Sequence, residues 1–439
     1  MRGLVLFLVI GTATGCAAHG QRMREARAAF HRGDLAAAER AIEAQRSAGA
    51  DGDVLDLDLA LVALADGRPA EAERLLRRAR DRFDHLEQAD AGEAAVTLLA
   101  DDTARAYAGE DHEKVLVRAL LTLADLAHDG DDAEAYSLQV IDKQRQIVEA
   151  AARDDGGNPK AGYPQVALAA YLRGVLREAT HRDYDDAARQ FALVAAWQPD
   201  FASAAGHLGR ATAGVHSQRG NGVVHVFALV GHGPFKAEVV EMPSSLSVAL
   251  AGELLAGPLG SPLPPTVAPI TVPRIVAVPS AVAGLRVRLG DWQAGRTETL
   301  TDVSALALRQ QEAALPGTVA RAVARRTLKK ATIFGVQRGF GLSRGGLPAV
   351  ALDLAGVAWE AAERADTRCW SLLPATIQAC RIELPAGRHT LALEAVDQGQ
   401  RPLGRPATAK IDVADGRDTF VVVHVPETGA VGRPLVGRR

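Results

Sequence analysis

The feature that most constrains this chain is an internal repeat. Gly33-Asp34-Leu35-Ala36-Ala37-Ala38-Glu39-Arg40-Ala41-Ile42 aligns with Gly67-Arg68-Pro69-Ala70-Glu71-Ala72-Glu73-Arg74-Leu75-Leu76, 34 residues further on. Around it, from residue 24 to residue 215, apolar residues recur at three and four, and Gly and Pro are sparse inside the runs, the pattern of amphipathic helices. A Gly or Asp turn reverses the chain between two helices. The small Ala five residues later stands where the helices approach closely. The large residue four further on, Ile42 or Leu76, fills the groove. No such pair buries its apolar face alone, so the units must stack into an array with a concave surface.

A period of 34 is that of tetratricopeptide repeats. Two later copies are degenerate: Gly130-Asp131-Asp132-Ala133-Glu134-Ala135, and Arg182-Asp183-Tyr184-Asp185-Asp186-Ala187 with Phe191 and then Pro199 as a helix stop. The copies are separated by 34, then 63, then 52 residues, so other helices or loops intervene. A generic helical bundle is the rival expectation.

Near Gly220-Asn221-Gly222 the period falls to two. Val223 to Val230 is a predicted strand, Gly231 to Pro234 a turn, and Ala237 to Met242 a second strand. Seven of the chain's 21 prolines lie between Pro258 and Pro279, so residues 257–279 are expected to be extended and largely irregular. Arg286 to Leu289 reads as a short strand, and Thr301 to Ala331 and Ala349 to Ala365 as helices. Ile377 to Leu384, Thr390 to Val396, Ala409 to Val413 and Thr419 to Val425 read as strands. The predicted fold class is α followed by α+β. A tetratricopeptide-like helical array (24–215) precedes a C-terminal mixed α+β domain (222–439) ending in an antiparallel sheet.

The N-terminus reads as an export signal. Met1-Arg2 is positive, Gly3 to Thr12 is apolar but too short to span a bilayer, and Ala13-Thr14-Gly15-Cys16 looks like a lipobox. That resemblance implies a signal peptide over 1–15, diacylglycerol and palmitate on Cys16, and a lipidated linker over 16–23. An ordinary secretory signal cut near Ala17-Ala18 is the alternative. Ala17 beside the anchor, where Asp is absent, favours sorting to the outer membrane by resemblance to enterobacterial rules. The remaining chain, about 424 residues, suits two or three domains. Apolar content of 48% supports real cores, and a net charge of −3 demands no polyanionic partner such as nucleic acid. Cys369 and Cys380 form a candidate disulfide in an oxidising compartment, with two packed or free thiols as the default.

Several stretches together resemble an uncharacterised family of bacterial tetratricopeptide-like lipoproteins of the outer membrane. They are Asp111-His112-Glu113-Lys114-Val115-Leu116, Gly231-His232-Gly233-Pro234-Phe235-Lys236, Leu300-Thr301-Asp302-Val303 with Leu315-Pro316 and Arg321 to Arg326, and Ala365-Asp366-Thr367-Arg368-Cys369-Trp370-Ser371-Leu372-Leu373-Pro374-Ala375. The resemblance implies architecture and location and carries no catalytic residues.

Catalytic and metal motifs are incomplete. Gly341-Leu342-Ser343-Arg344-Gly345 matches the G-x-S-x-G of serine hydrolases but lacks the preceding parallel sheet. His112-Glu113 begins like a zinc-protease helix, yet Leu116 stands where the second His belongs. His225 and His232 lie seven apart and face opposite sides of a straight strand. No metal, cofactor or small-molecule substrate is therefore expected. Arg321, Arg325 and Lys329 form a cationic stripe at helical spacing, either a solvated face or a contact for an anionic partner. Asp366, Arg368 and Trp370 read as a structural corner, the first two paired and the Trp in the core. The expected role is non-catalytic: a periplasm-facing lipoprotein, held to the membrane by lipid, that binds envelope proteins. The rivals are an envelope hydrolase using Ser343, or a structural part of a secretion or polysaccharide-export complex.

Overall fold

The computed structural model describes residues 19–48, 52–90, 105–152, 156–256, 269–339 and 365–439. The lipobox with Cys16, the Gly341–Gly345 motif with Ser343 and most of the helix expected over 349–365 lie outside the described residues.

The first half is helical: α1 (His19–Arg22), α2 (Arg24–His31), α3 (Leu35–Ser47), α4 (Gly52–Ala65), α5 (Pro69–Asp90), α6 (Asp111–Leu126), α7 (Ala133–Glu149), α8 (Ala167–Glu178), α9 (Tyr184–Trp197) and α10 (Ala204–Thr212). From α2 onward each helix packs on its neighbour in the chain. The sequence repeat reappears in the backbone. Gly33 has φ 81° and Gly67 φ 82°, a left-handed conformation that Gly adopts without a Cβ penalty. Gly33 N donates to Phe30 O and Asp34 N to Ala29 O; 34 residues later Gly67 N donates to Leu64 O and Arg68 N to Ala63 O. Asp34 then caps α3, its carboxylate accepting from Ala37 N at 2.9 Å, a bond of about 1 kcal/mol in such positions. Ala38, Ile42, Ala72 and Leu76 are fully buried, as are Ala187 and Phe191.

The third copy requires a correction. Ala135, expected at the close approach, is exposed. Tyr136 and Val140 take the buried positions. The cause is the turn: two residues separate Gly130 from the start of α7, against one between Gly33 and α3, which rotates the helix by one position. Residues 19–23, expected to be linker, are folded: α1 begins at His19 and Met23 is wholly buried.

The second half contains β1 (Asn221–Val230), β2 (Phe235–Glu241), α11 (Ser245–Ala256), β3 (Ile270–Val276), β4 (Gly284–Leu289), β5 (Trp292–Arg296), β6 (Glu298–Asp302), α12 (Val303–Gly339), β7 (Thr376–Pro385), β8 (Gly387–Val396), β9 (Pro402–Val413), β10 (Asp418–Val425) and β11 (Val431–Arg438). A five-stranded sheet runs β11-β10-β1-β7-β6, a four-stranded sheet β5-β4-β8-β9, and β2 pairs only with β3. Antiparallel pairing is present as expected, with one exception: β1 and β10 are parallel, Val223 opposite Asp418 through Val230 opposite Val425. The Pro-rich stretch also contains a strand: β3 carries Pro273 and pairs with β2, and Pro is tolerated at such an edge.

The central strand explains the architecture. Val224, Val226, Ala228 and Val230 of β1 join Leu285, Val287, Leu391, Leu393 and Ile411 in a core between the two large sheets. Phe227 and Leu229, on the opposite face, join Tyr171, Phe201, Leu300 and Trp370 in the core shared with the helices. Three layers result: helices, five-stranded sheet, four-stranded sheet. The near-continuous apolar run of β1 is what burial on both faces requires. The helical half and the sheet thus share one core, and the change of period at residue 220 marks a change of element type within it.

Docking of helices on the sheet edge is set by glycine. A Cβ on Gly437 of β11 would lie 1.7 Å from Leu126 O at the end of α6, and one on Gly432 would lie 1.8 Å from Ala65 O at the end of α4. Replacing Gly437 by Ala forces β11 and α6 apart. The expected loss is about 1–3 kcal/mol, the usual cost of overpacking, read as a lower urea midpoint; an unchanged midpoint would show that the contact yields freely.

Candidate functional site

Helix α6 opens one wall of a cleft. Its N-terminal turn is fixed by Glu113, which accepts from Glu110 N at 3.0 Å, the reciprocal bond of a capping box. The stretch from Arg105 to His112 faces α12 across a cavity of about 370 Å³, with Gln310, Gln311, Thr318 and Arg321 on the α12 side and Lys236, Asp366 and Arg368 at its base. Most of its charges are paired. Lys236 pairs with Glu110. Burial opposes ionisation of Glu110, but the Lys236 ammonium overrides it and holds the carboxyl below its ordinary range. Lys160 meets Asp111 at 2.6 Å, and Arg368 meets Asp366 at 2.7 Å. Arg368 also donates to Arg105 O at 2.7 Å and lies over the Tyr107 ring. Gln310, one of the lining residues, has a buried Oε1 without a hydrogen-bond donor.

The corner expected around residue 366 is present, and it is anchored by two carboxylates that sequence reading missed. Glu113 of α6 accepts from Trp370 N at 2.7 Å and from the Tyr107 hydroxyl. Asp58 of α4, wholly buried, accepts from Ser371 Oγ at 2.9 Å and Leu372 N at 2.8 Å. Trp370 is fully buried, as expected. The signal for Asp58 was in the sequence: α4 reads Val54-Leu55-Asp56-Leu57-Asp58-Leu59-Ala60-Leu61, and an acidic residue inside an otherwise apolar buried helix must find donors. Asp56 finds Arg46 at 2.5 Å. The Glu113 role lay hidden behind the resemblance of His112-Glu113 to a metal helix. His112 is buried and Glu113 is committed to backbone donors.

A second polar chain joins the layers. Asp418 of β10 contacts His216 Nε2 at 3.0 Å and His225 Nε2 at 3.3 Å, with all three side chains buried. Burial opposes ionisation of Asp418, but these two imidazole donors overcome it and hold the carboxyl well below the carboxylate range. Burial lowers His225 against the pull of Asp418, and its Nδ1 lies 3.5 Å from the Tyr171 hydroxyl of α8. The order Tyr-His-Asp has the form of a proton relay, yet every member is enclosed in the core. His232, away from His225, stacks on His31 with ring centroids 3.6 Å apart. Among the described residues no group of three or more His, Cys, Asp or Glu is placed to hold a metal ion.

The remaining candidates divide. Cys369 and Cys380 do not form the candidate disulfide: both are free, buried thiols. Burial pushes each up to about 12, which leaves little reactive thiolate at neutral pH. Cys380 is fixed in β7 opposite Val226, whereas Cys369 lies in the corner that Glu113 holds. The cationic stripe is also corrected. Arg321 is exposed at the cleft, but Arg325 is only 4% exposed; the side chain of Lys329 lies outside the described residues. The adjoining strip of Val319, Ala320, Val323 and Ala324 packs with Ala251 and Leu255 of α11 into a satellite core. No helix among the described residues is long and apolar enough to cross a membrane. Comparison with protein families, with curated proteins and with solved structures finds no match to this chain.

Asp58 generates a pH signature. Burial, its largest influence, pushes the carboxyl up to about 7 against the hydrogen bonds from Ser371 and Leu372. The folded chain then keeps a proton that the unfolded chain releases above its ordinary value of 3.8. Asp58 therefore costs nothing below that value, and its contribution worsens as pH rises towards 7. Asp58→Asn retains an acceptor oxygen and removes the titration. Relative to wild type, the variant should gain stability between pH 4 and pH 7, by at most about 1.4 kcal/mol per pH unit. Urea denaturation across that range checks it, and a constant difference would contradict the titration.

Proposed function

We propose that this chain is a lipid-anchored protein of the bacterial outer membrane, facing the periplasm, whose tetratricopeptide-like helices and α+β layers serve to bind a protein partner. The observation that carries the reading is the cleft between α6 and α12. It is a shaped, polar cavity whose charged residues are largely paired, so it offers form and a few hydrogen-bonding groups, such as Thr318 and Arg321. Two further observations support it. The chemically suggestive residues inside the fold, Glu113, Cys369, His225 and Asp418, serve the packing of the layers. The left-handed glycines at Gly33 and Gly67, with identical hydrogen bonds 34 residues apart, favour repeat units over a generic bundle. The lipobox at Cys16 supplies the location.

Two measurements test this reading. Cys16→Ser should move the protein from the membrane pellet to the soluble periplasmic fraction; retention in the pellet would remove the anchor. A photo-crosslinking amino acid at Thr318 or Arg321 should trap one defined partner in cells, whereas the same probe at Leu138, an exposed residue of α7, should not. Equal, unspecific products from both positions would count against the cleft as a binding site.

A further inference from the structure

The β2–β3 ribbon ends in an apolar surface that is exposed among the described residues. Val239, Val240, Met242 and Leu246 are 39%, 67%, 64% and 57% exposed. They lie within eight residues, whereas the other large exposed apolar residues described, Leu138, Val215 and Trp292, are scattered singly. Successive strand residues point to opposite faces, so Val239 and Val240 expose both faces of the ribbon. Charge at the tip is muted. Arg274 pairs with Glu241 through two hydrogen bonds, Glu238 accepts from Ala365 N at 3.0 Å, and the first turn of α11 has no acidic residue. A clustered apolar tip of this kind marks a contact with another phase or partner.

The N-terminus says which. Helix α1 rests on the base of the same ribbon: a Cβ on Gly20 would lie 2.9 Å from Lys236 O, and Gly20 N donates to Thr367 Oγ1 at 3.4 Å. Cys16 stands three residues before His19, so chain length alone keeps it within about 11 Å of the start of α1. From Lys236 to Val240 the strand advances about 13 Å. The site of acylation and the apolar tip therefore lie within about 30 Å of each other, a span that one bilayer surface can meet at both ends.

We infer that Val239, Val240, Met242 and Leu246 form a membrane footprint, lying in the headgroup and upper acyl region of the bilayer that holds the anchor. The inference rests on the lipid-anchor reading of Cys16 and adds an orientation to it. Acyl chains alone leave a protein free to swing on its tether, while an apolar tip beside the anchor is a second contact with the same surface. The ribbon then fixes which side of the protein faces the lipid.

The test uses the full acylated protein in phosphatidylcholine–phosphatidylglycerol vesicles, with an environment-sensitive fluorophore on Val240→Cys, on Met242→Cys and, as reference, on Leu138→Cys. Cys16 is blocked by acylation, and Cys369 and Cys380 are buried, so labelling is confined to the new thiol. Labels at 240 and 242 should shift to shorter wavelength on reconstitution. Lipids spin-labelled near the headgroup should quench them at least threefold more than the label at 138. If the protein stays with the vesicles while labels at 240 and 242 remain aqueous, the footprint is wrong and the anchor stands. If these labels are already shielded without lipid in a Cys16→Ser background, another part of the chain or a second copy covers the tip, and the footprint is again wrong. If mass spectrometry finds Cys16 unacylated, the anchor reading and the footprint fall together.

Discussion

Burial of β1 on both faces is the constraint on which the rest of this structure depends. A strand enclosed in this way has no water to satisfy its backbone, so every N–H and C=O must find a ladder partner. β10 supplies one edge in parallel and β7 the other in antiparallel. Its two sets of side chains then demand two separate covers. The four-stranded sheet meets Val224, Val226, Ala228 and Val230, and the helical layer meets Phe227 and Leu229. The helical half cannot be an appendage under these conditions, because it is one wall of the core. Gly432 and Gly437, which let α4 and α6 close directly on β11, extend the same contact to the sheet edge.

Enclosing so much polar backbone forces buried charge into structural service. The stretch 365–375 packs into the helical layer, and its N–H groups at Trp370 and Leu372 would be orphaned there. Glu113 and Asp58 answer them from two different helices. Each bond ties a residue of the first half to one more than 250 positions away. Asp418, His216 and His225 do the same between β10, β1 and the segment before it. Carboxylates and imidazoles in such a fold suggest catalysis when read as a list, yet their geometry is that of brackets between layers. What faces outward is the polar cleft beside α6 and the apolar ribbon tip beside α1.

Much of the local structure was legible. The turns at Gly33 and Gly67, the burial of Ile42, Leu76 and Phe191, the strands from 377 to 425, the Asp366–Arg368 pair and the burial of Trp370 all follow from short-range pattern. The misreadings share one cause. Ala135 was placed by its spacing from Gly130, but a turn one residue longer changed the buried face. Arg325 was placed on a solvated stripe by its spacing from Arg321, but a regular spacing along one helix does not say which of its turns the rest of the fold encloses. The short strands β3, β5, β6 and β11 escaped notice because edge strands carry little periodic signal.

The amino-acid order by itself determined where most of the helices and the longer strands lie, which side of most of them is apolar, and that a lipobox-like segment precedes them. Those properties depend on residues within a few positions of one another. Only the tertiary structure decided that β1 lies parallel to β10, that Cys369 and Cys380 remain separate free thiols, and that Asp58 and Glu113 hold a distant segment. An apolar face specifies that it must be covered, and a buried carboxylate that it must be satisfied, but neither names its partner; that choice is made by contacts spanning hundreds of residues, where the whole packing arrangement decides.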